Sequence, residues 1–245
     1  MSSKTSVITL TLVLLGSSFV CAEDQPTKLS LGLSYLATSG NASSQTGGLD
    51  VLYKHSFAPW GIEVAGSYLR AEQDGVVTAE KLLVGVRGAW TLNTDLDLFL
   101  SASYLQDRFA GLDPRLLATG GATYKLLKGP EHELTFDLGL TWTRDDLVDK
   151  DLVDIGTKSY AGALAAARYG WNISTTAKLT EDLSFFPSFE QASDWRLESK
   201  TALQASVSAT VALKLSYSFR YANQPVEGFG KNDTQTVASL VINLR

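Results

Sequence analysis

Two histidines, His55 and His132, the single cysteine Cys21, and a few adjacent carboxylates are the side chains that could serve as bases, nucleophiles or metal ligands. The histidines fall in separate alternating segments, with no second ligand at a short spacing, so a tetrahedral zinc site has no donor set. Both read as solvated residues near strand ends. Ser56 follows His55 directly, and successive strand residues point to opposite faces, so this imidazole cannot take that hydroxyl's proton. That argues against a hydrolase working at a lipid-facing wall. Asp145-Asp146 has no opposing carboxylate in view for glycoside chemistry. The run through Asp149, Asp151 and Asp154 offers weak calcium ligands at best, and solvated surface is the better reading. Gly47-Gly48 and Gly120-Gly121 interrupt strand patterns, where glycine lowers bulk or permits a bend, and no phosphate-cradling loop is present. The chain is read as non-enzymatic, with no catalytic, cofactor-binding or metal residue assigned and no cofactor.

The compartment is written at the start. Lys4 is a basic lead, Val7 to Leu15 an apolar core, and Val20-Cys21-Ala22 a small-residue site before Glu23. Residues 1–22 are therefore expected to be a cleaved signal peptide, leaving 23–245 as one domain. An uncleaved anchor fits less well, because the apolar run is short and an acidic polar segment follows. Lipidation of Cys21 is disfavoured by the bulky Phe19-Val20 before it. Cleavage after Ala22 removes the only cysteine, and disulfide and thiolate chemistry with it. A formal charge of −5 gives no footprint for nucleic acid.

The elements that must position any site are strands. In residues 133–144 every second side chain is large and apolar, a period of two. Similar segments fall near 28–38, 45–57, 61–71, 78–90, 96–108, 114–127, 132–144, 158–178, 183–191, 195–210, 211–222 and 233–244. Connections alternate between tight turns, at Ala58-Pro59-Trp60-Gly61, Leu92-Asn93-Thr94-Asp95, Lys128-Gly129-Pro130 and Thr180-Glu181-Asp182, and longer polar stretches such as Asp145 to Gly156 and Asn223 to Asn232. Segment 96–108 sends Leu98, Leu100, Ala102 and Tyr104 one way, and Asp97, Phe99, Ser101, Ser103 and Asp107 the other. In water one of two such faces would be badly placed, whichever lay inside. Lipid resolves the conflict, with apolar residues outward and polar ones toward a lumen. Aromatics near segment ends, among them Tyr53, Trp60, Trp90, Tyr124, Trp142, Trp171 and Tyr221, fit interfacial girdles. The expectation is an all-β transmembrane antiparallel barrel of about twelve strands, with short periplasmic turns and longer extracellular loops.

That register aims Arg87, Arg168, Arg196, Lys200, Lys214, Arg220, Asp97, Asp137 and Glu198 into the lumen as its candidate lining. Asp50, Lys54, Glu63, Lys81, Lys125, Lys178 and Glu190 share the inward face. Two readings stand. Charges of both signs fill the interior and hold the barrel rigid, or a basic track lines a narrow pore for small anions or acidic sugars.

Leu31-Gly32-Leu33-Ser34-Tyr35, Thr38-Ser39-Gly40-Asn41-Ala42 and Asp107-Arg108-Phe109-Ala110-Gly111-Leu112-Asp113 come first in a further series of short motifs. Gly120-Gly121-Ala122-Thr123-Tyr124, Phe186-Pro187-Ser188, Tyr221-Ala222-Asn223-Gln224-Pro225 and Lys231-Asn232-Asp233-Thr234 continue it. In that order the motifs resemble the salt-induced outer membrane protein (YdiY-like) family, a domain of unknown function. The resemblance implies a Gram-negative outer-membrane barrel linked to salt or osmotic stress, and it transfers no catalytic residue. Its expected partners are outer-membrane lipid, periplasmic chaperones and the barrel assembly machinery, with small anionic solutes for the channel alternative. Barrels of this kind commonly end in an aromatic residue, whereas this chain ends Asn243-Leu244-Arg245.

Overall fold

On the strand His132–Val148, Leu138 and Leu140 are 66% and 67% exposed while Asp137 and Asp145 are only 4% and 3% exposed. A strand that buries its carboxylates and displays its leucines belongs to a wall with a polar inside and an apolar outside. The computed structural model, which describes residues 27–38 and 43–244, builds such a wall from twelve antiparallel strands. These are β1 (Thr27–Thr38), β2 (Ser44–Phe57), β3 (Trp60–Gln73), β4 (Val76–Thr91), β5 (Leu96–Asp107) and β6 (Leu112–Lys128). They continue as β7 (His132–Val148), β8 (Asp154–Asn172), β9 (Ala177–Pro187), β10 (Trp195–Ser206), β11 (Val211–Ala222) and β12 (Asn232–Leu244). Each pairs with its neighbour in sequence, and β1 closes on β12 through Leu29↔Leu244 to Leu33↔Leu240. Closure leaves no free strand edge, the condition for a sheet to span lipid. The expected leader 1–22 and the Thr38–Ala42 motif, beyond Thr38 itself, lie outside the described residues.

Most expected strands stand within a few residues of their observed bounds, and three connections differ. The turn foreseen at Thr180-Glu181-Asp182 lies inside β9, and the chain reverses at residues 173–176 instead. There the Ser174 hydroxyl accepts the backbone N–H groups of Thr176 (3.2 Å) and Ala177 (3.0 Å), a local turn made by a side chain. Glu181 lies on the outer face, where it accepts hydroxyls from Ser199 (2.7 Å) and Thr201. The loop foreseen from Asp145 to Gly156 shrinks to residues 149–153, because β7 and β8 continue pairing past it. Within it the Asp149 carboxylate accepts the N–H groups of Asp151 and Val153, both at 2.9 Å, so it caps its own turn. The segment foreseen at 183–191 ends at Pro187, which places Glu190 in an exposed connection rather than in the lumen.

Candidate functional site

The interior holds the charges, and contacts between strands that are not neighbours must cross it. Asp137 on β7 is the focus of the half nearest the short turns. Arg87 reaches it from β4 at 2.9 Å, past β5 and β6, while Arg168 on β8 donates to both its oxygens at 3.1 and 2.9 Å. Thr123 on β6 donates to Asp137 at 2.6 Å and accepts from Arg87 at 2.6 Å. The Arg87 guanidinium also lies 3.6 Å over the ring of Phe99, an inward aromatic that is 3% exposed. Neighbouring strands add Lys125–Asp97 at 2.7 Å and Lys54–Glu63 at 2.6 Å. One carboxylate between two guanidiniums, with the Thr123 hydroxyl bridging it to Arg87, ties β4, β6, β7 and β8 into one side of the lumen.

The other half, nearer the longer connections, has its own set. Arg115 forms a bidentate pair with Asp145, Nε and Nη2 each at 2.6 Å, both side chains largely buried. Lys158 pairs with Asp194 at 2.5 Å. Asp107, at the end of β5, receives Lys81 at 3.4 Å and Arg220 of β11 at 3.7 Å. With twelve strands, β5 and β11 are diametrically opposed, so this contact spans the barrel. Glu198 lies opposite Arg220 in the β10–β11 register, and Arg196 lies over Phe186 at 5.1 Å with its Nη1 buried and unpartnered among the described residues.

Of the residues the sequence aimed inward, Arg87, Asp137 and Arg168 therefore meet in one cluster, and Asp97 pairs beside it. Arg196, Glu198, Lys200, Lys214 and Arg220 share the inner face of β10 and β11. Lys200 and Lys214 form no ion pair within 4 Å among the described residues, and Lys200 is exposed although it faces inward. Asp50 faces in opposite Gly32, and Lys178 reaches Glu133 at 3.2 Å. Sequence reasoning passed over Arg115, Asp145 and Asp182. Arg115 shares the parity of Thr123 and Lys125 on β6, which was the signal that could have found it. Asp145 was hidden by ending its strand too early, and Asp182 by reading a turn there. The two histidines face out: His55 stacks between Tyr53 and Phe57, and His132 against Tyr169 and Trp171. They sit in the outer aromatic belt near the short turns, on β2 and β7, far apart around the ring.

Residues 31–244 match the model of the family described as protein of unknown function DUF481. The chain belongs to the DUF481 family. Its similarity extends to the uncharacterized protein YdiY of Escherichia coli (strain K12), 29% identical over 221 residues, covering 88% of this chain and 82% of the relative. Among solved structures, the barrel is similar to the NanC porin, with a TM-score of 0.52 at 11% identity over 89% of this chain and 100% of that one. An outer membrane channel from Pseudomonas putida F1 has a TM-score of 0.51 at 12% identity, over 95% and 97% of the two chains. The translocator domain of the autotransporter NalP from Neisseria meningitidis scores 0.51 at 10% identity, over 91% and 89%. At these identities the likeness is one of fold, and the fold is that of outer-membrane barrels.

Proposed function

We propose that this DUF481 protein is a non-enzymatic barrel of the Gram-negative outer membrane whose interior ion pairs hold it shut, serving the envelope structurally. The observation that carries this reading is Asp137, clamped from β4 and β8 at once and only 4% exposed. A charge so enclosed is costly to leave unpaired, so the cluster favours rigidity over passage. Residues 1–22 serve as the export signal, the mature chain begins at Glu23, and chaperones and the assembly machinery deliver it to lipid. The link to salt or osmotic stress rests on the family resemblance. The fold of the porin and channel neighbours supports the location.

A second reading, a narrow channel for small anions, is favoured by one feature: among the described residues Lys200 and Lys214 stand without ion pairs on one wall, and Lys200 is solvent-accessible. Replacing Arg87 and Arg168 by glutamine separates the two. The closed-barrel reading expects a lower urea midpoint and an unchanged electrical silence, whereas the channel reading expects anion selectivity to fall with little loss of stability. Absence of fatty-acid release from phospholipid vesicles is the expected result of an assay for lipid hydrolysis.

A further inference from the structure

The longest connection, residues 223–231 between β11 and β12, does not stand away from the barrel. A methyl group added at Gly111, in the β5–β6 connection, would lie 2.8 Å from Val226 Cβ and 2.9 Å from Phe229 Cε2. Since β11–β12 and β5–β6 are on opposite sides of the ring, the loop must cross the mouth to make this contact. Gly111 has a φ of 76°, and the absence of a side chain there is what lets Val226 and Phe229 seat. Leu112 and Val148, each 6% exposed, lie beside Gly111, whose carbonyl accepts the Val148 N–H at 3.1 Å. At the loop's tip the Phe229 N–H donates to the Val226 carbonyl at 3.0 Å, and Gly228 takes a φ of 87° against the Lys150 side chain.

The base of the loop is anchored differently. Asn223 donates its backbone N–H to the Trp195 carbonyl at 3.0 Å and its side-chain amide to the Ser193 carbonyl at 2.8 Å. The Ala222 backbone N–H donates to the Lys231 carbonyl at 2.8 Å. A loop with a hydrogen-bonded base and a small apolar tip seated on a glycine can swing without disturbing the strands. Directly beneath, the Asp107–Arg220 contact crosses the same diameter, 3.7 Å long and partly exposed, a pair that water and salt weaken.

We propose that residues 223–231 are a gate over the mouth, with the Lys81–Asp107–Arg220 contact as its inner latch, and that release of both opens the lumen to small solutes. The proposal builds on the second reading above, that the lumen can conduct. Because Cys21 is the only cysteine, a mature chain starting at Glu23 carries none, and an introduced pair reports cleanly. The test is planar-bilayer recording on Arg220→Gln barrels that also carry Lys150→Cys and Gly228→Cys. With the thiols reduced, brief openings are expected. Oxidation to the disulfide should lower the open fraction about tenfold or more, and reductant should restore it on the same molecules. A second protein, Arg220→Gln with residues 224–230 replaced by a short Asn-Gly turn, is expected to stay open. If that barrel is folded by heat-modifiable gel mobility and still silent, the gate is wrong while the closed-barrel reading stands. Openings that ignore the disulfide would also overturn the gate. Steady conductance by the unaltered protein would instead overturn the closed-barrel reading, and the gate with it.

Discussion

Asp137 is, among the described residues, the one carboxylate that two guanidiniums from different strands address together. Removing one member of a buried pair leaves the others uncompensated, at a cost of roughly 3–5 kcal/mol. Asp137→Ala is therefore expected to lower the unfolding free energy by that order in urea titrations. Arg87→Met should cost less, since Arg168 and Thr123 still satisfy the carboxylate. At the opposite extreme stands Asp95, in the β4–β5 turn, where the Lys128 ammonium beside it holds the carboxyl below its usual value of 3.8. A carboxyl depressed in the folded state adds stability above its unfolded pKa and loses it as pH falls through the folded one. The difference between Asp95→Asn and the unaltered protein should thus be small, full at neutral pH, and absent in strong acid. Thermal melts from pH 7 to pH 2 measure it.

At the scale of the elements, glycines on β6 and β7 show how the wall bends. A methyl at Gly121 would lie 2.2 Å from the Leu138 carbonyl oxygen, and one at Gly139 would lie 2.8 Å from that of Gly120. Here the backbone itself is the obstacle, so Gly121→Ala is expected to destabilise the barrel by about 2–3 kcal/mol or to block refolding. Gly47 has nothing within 4 Å, and Gly47→Ala is expected to be neutral in the same urea titration. Alternation made β7 readable from the sequence because its outer apolar residues and inner polar or small ones keep step from Glu133 to Thr143. It made the parity of Arg87, Asp137 and Arg168 readable too. What it could not supply was distance around the ring: that Arg87 passes two strands to reach Asp137, or that Asp107 meets Arg220, follows from closure. Turn chemistry misled where a Glu-Asp pair imitates a turn inside β9, since Glu181 on the outer face is satisfied by hydroxyls two residues apart on β10. The loop over the mouth was invisible for a similar reason. Val226 and Phe229 read as ordinary loop residues until Gly111 is brought opposite.

For the whole molecule, the exposed leucines and the charge-filled interior form one account. The outer face displays an apolar wall that water would not tolerate and lipid requires, while the inner face gathers charges that meet partners around Asp137, Asp145 and Asp107 and leave Lys200 and Lys214 without an ion pair among the described residues. The export signal proposed for residues 1–22 fits this destination. Mass spectrometry of the protein from outer membranes should find the N-terminus at Glu23, and a chain retaining Met1 to Ala22 would contradict that step. The central claim is that the folded barrel is closed, and current through single molecules tests it most directly. Unaltered protein, inserted into a planar bilayer and shown to be folded, is expected to remain silent at moderate voltage and salt. Discrete, persistent openings under those conditions would contradict the account and turn Lys200 and Lys214 into the lining of an open path.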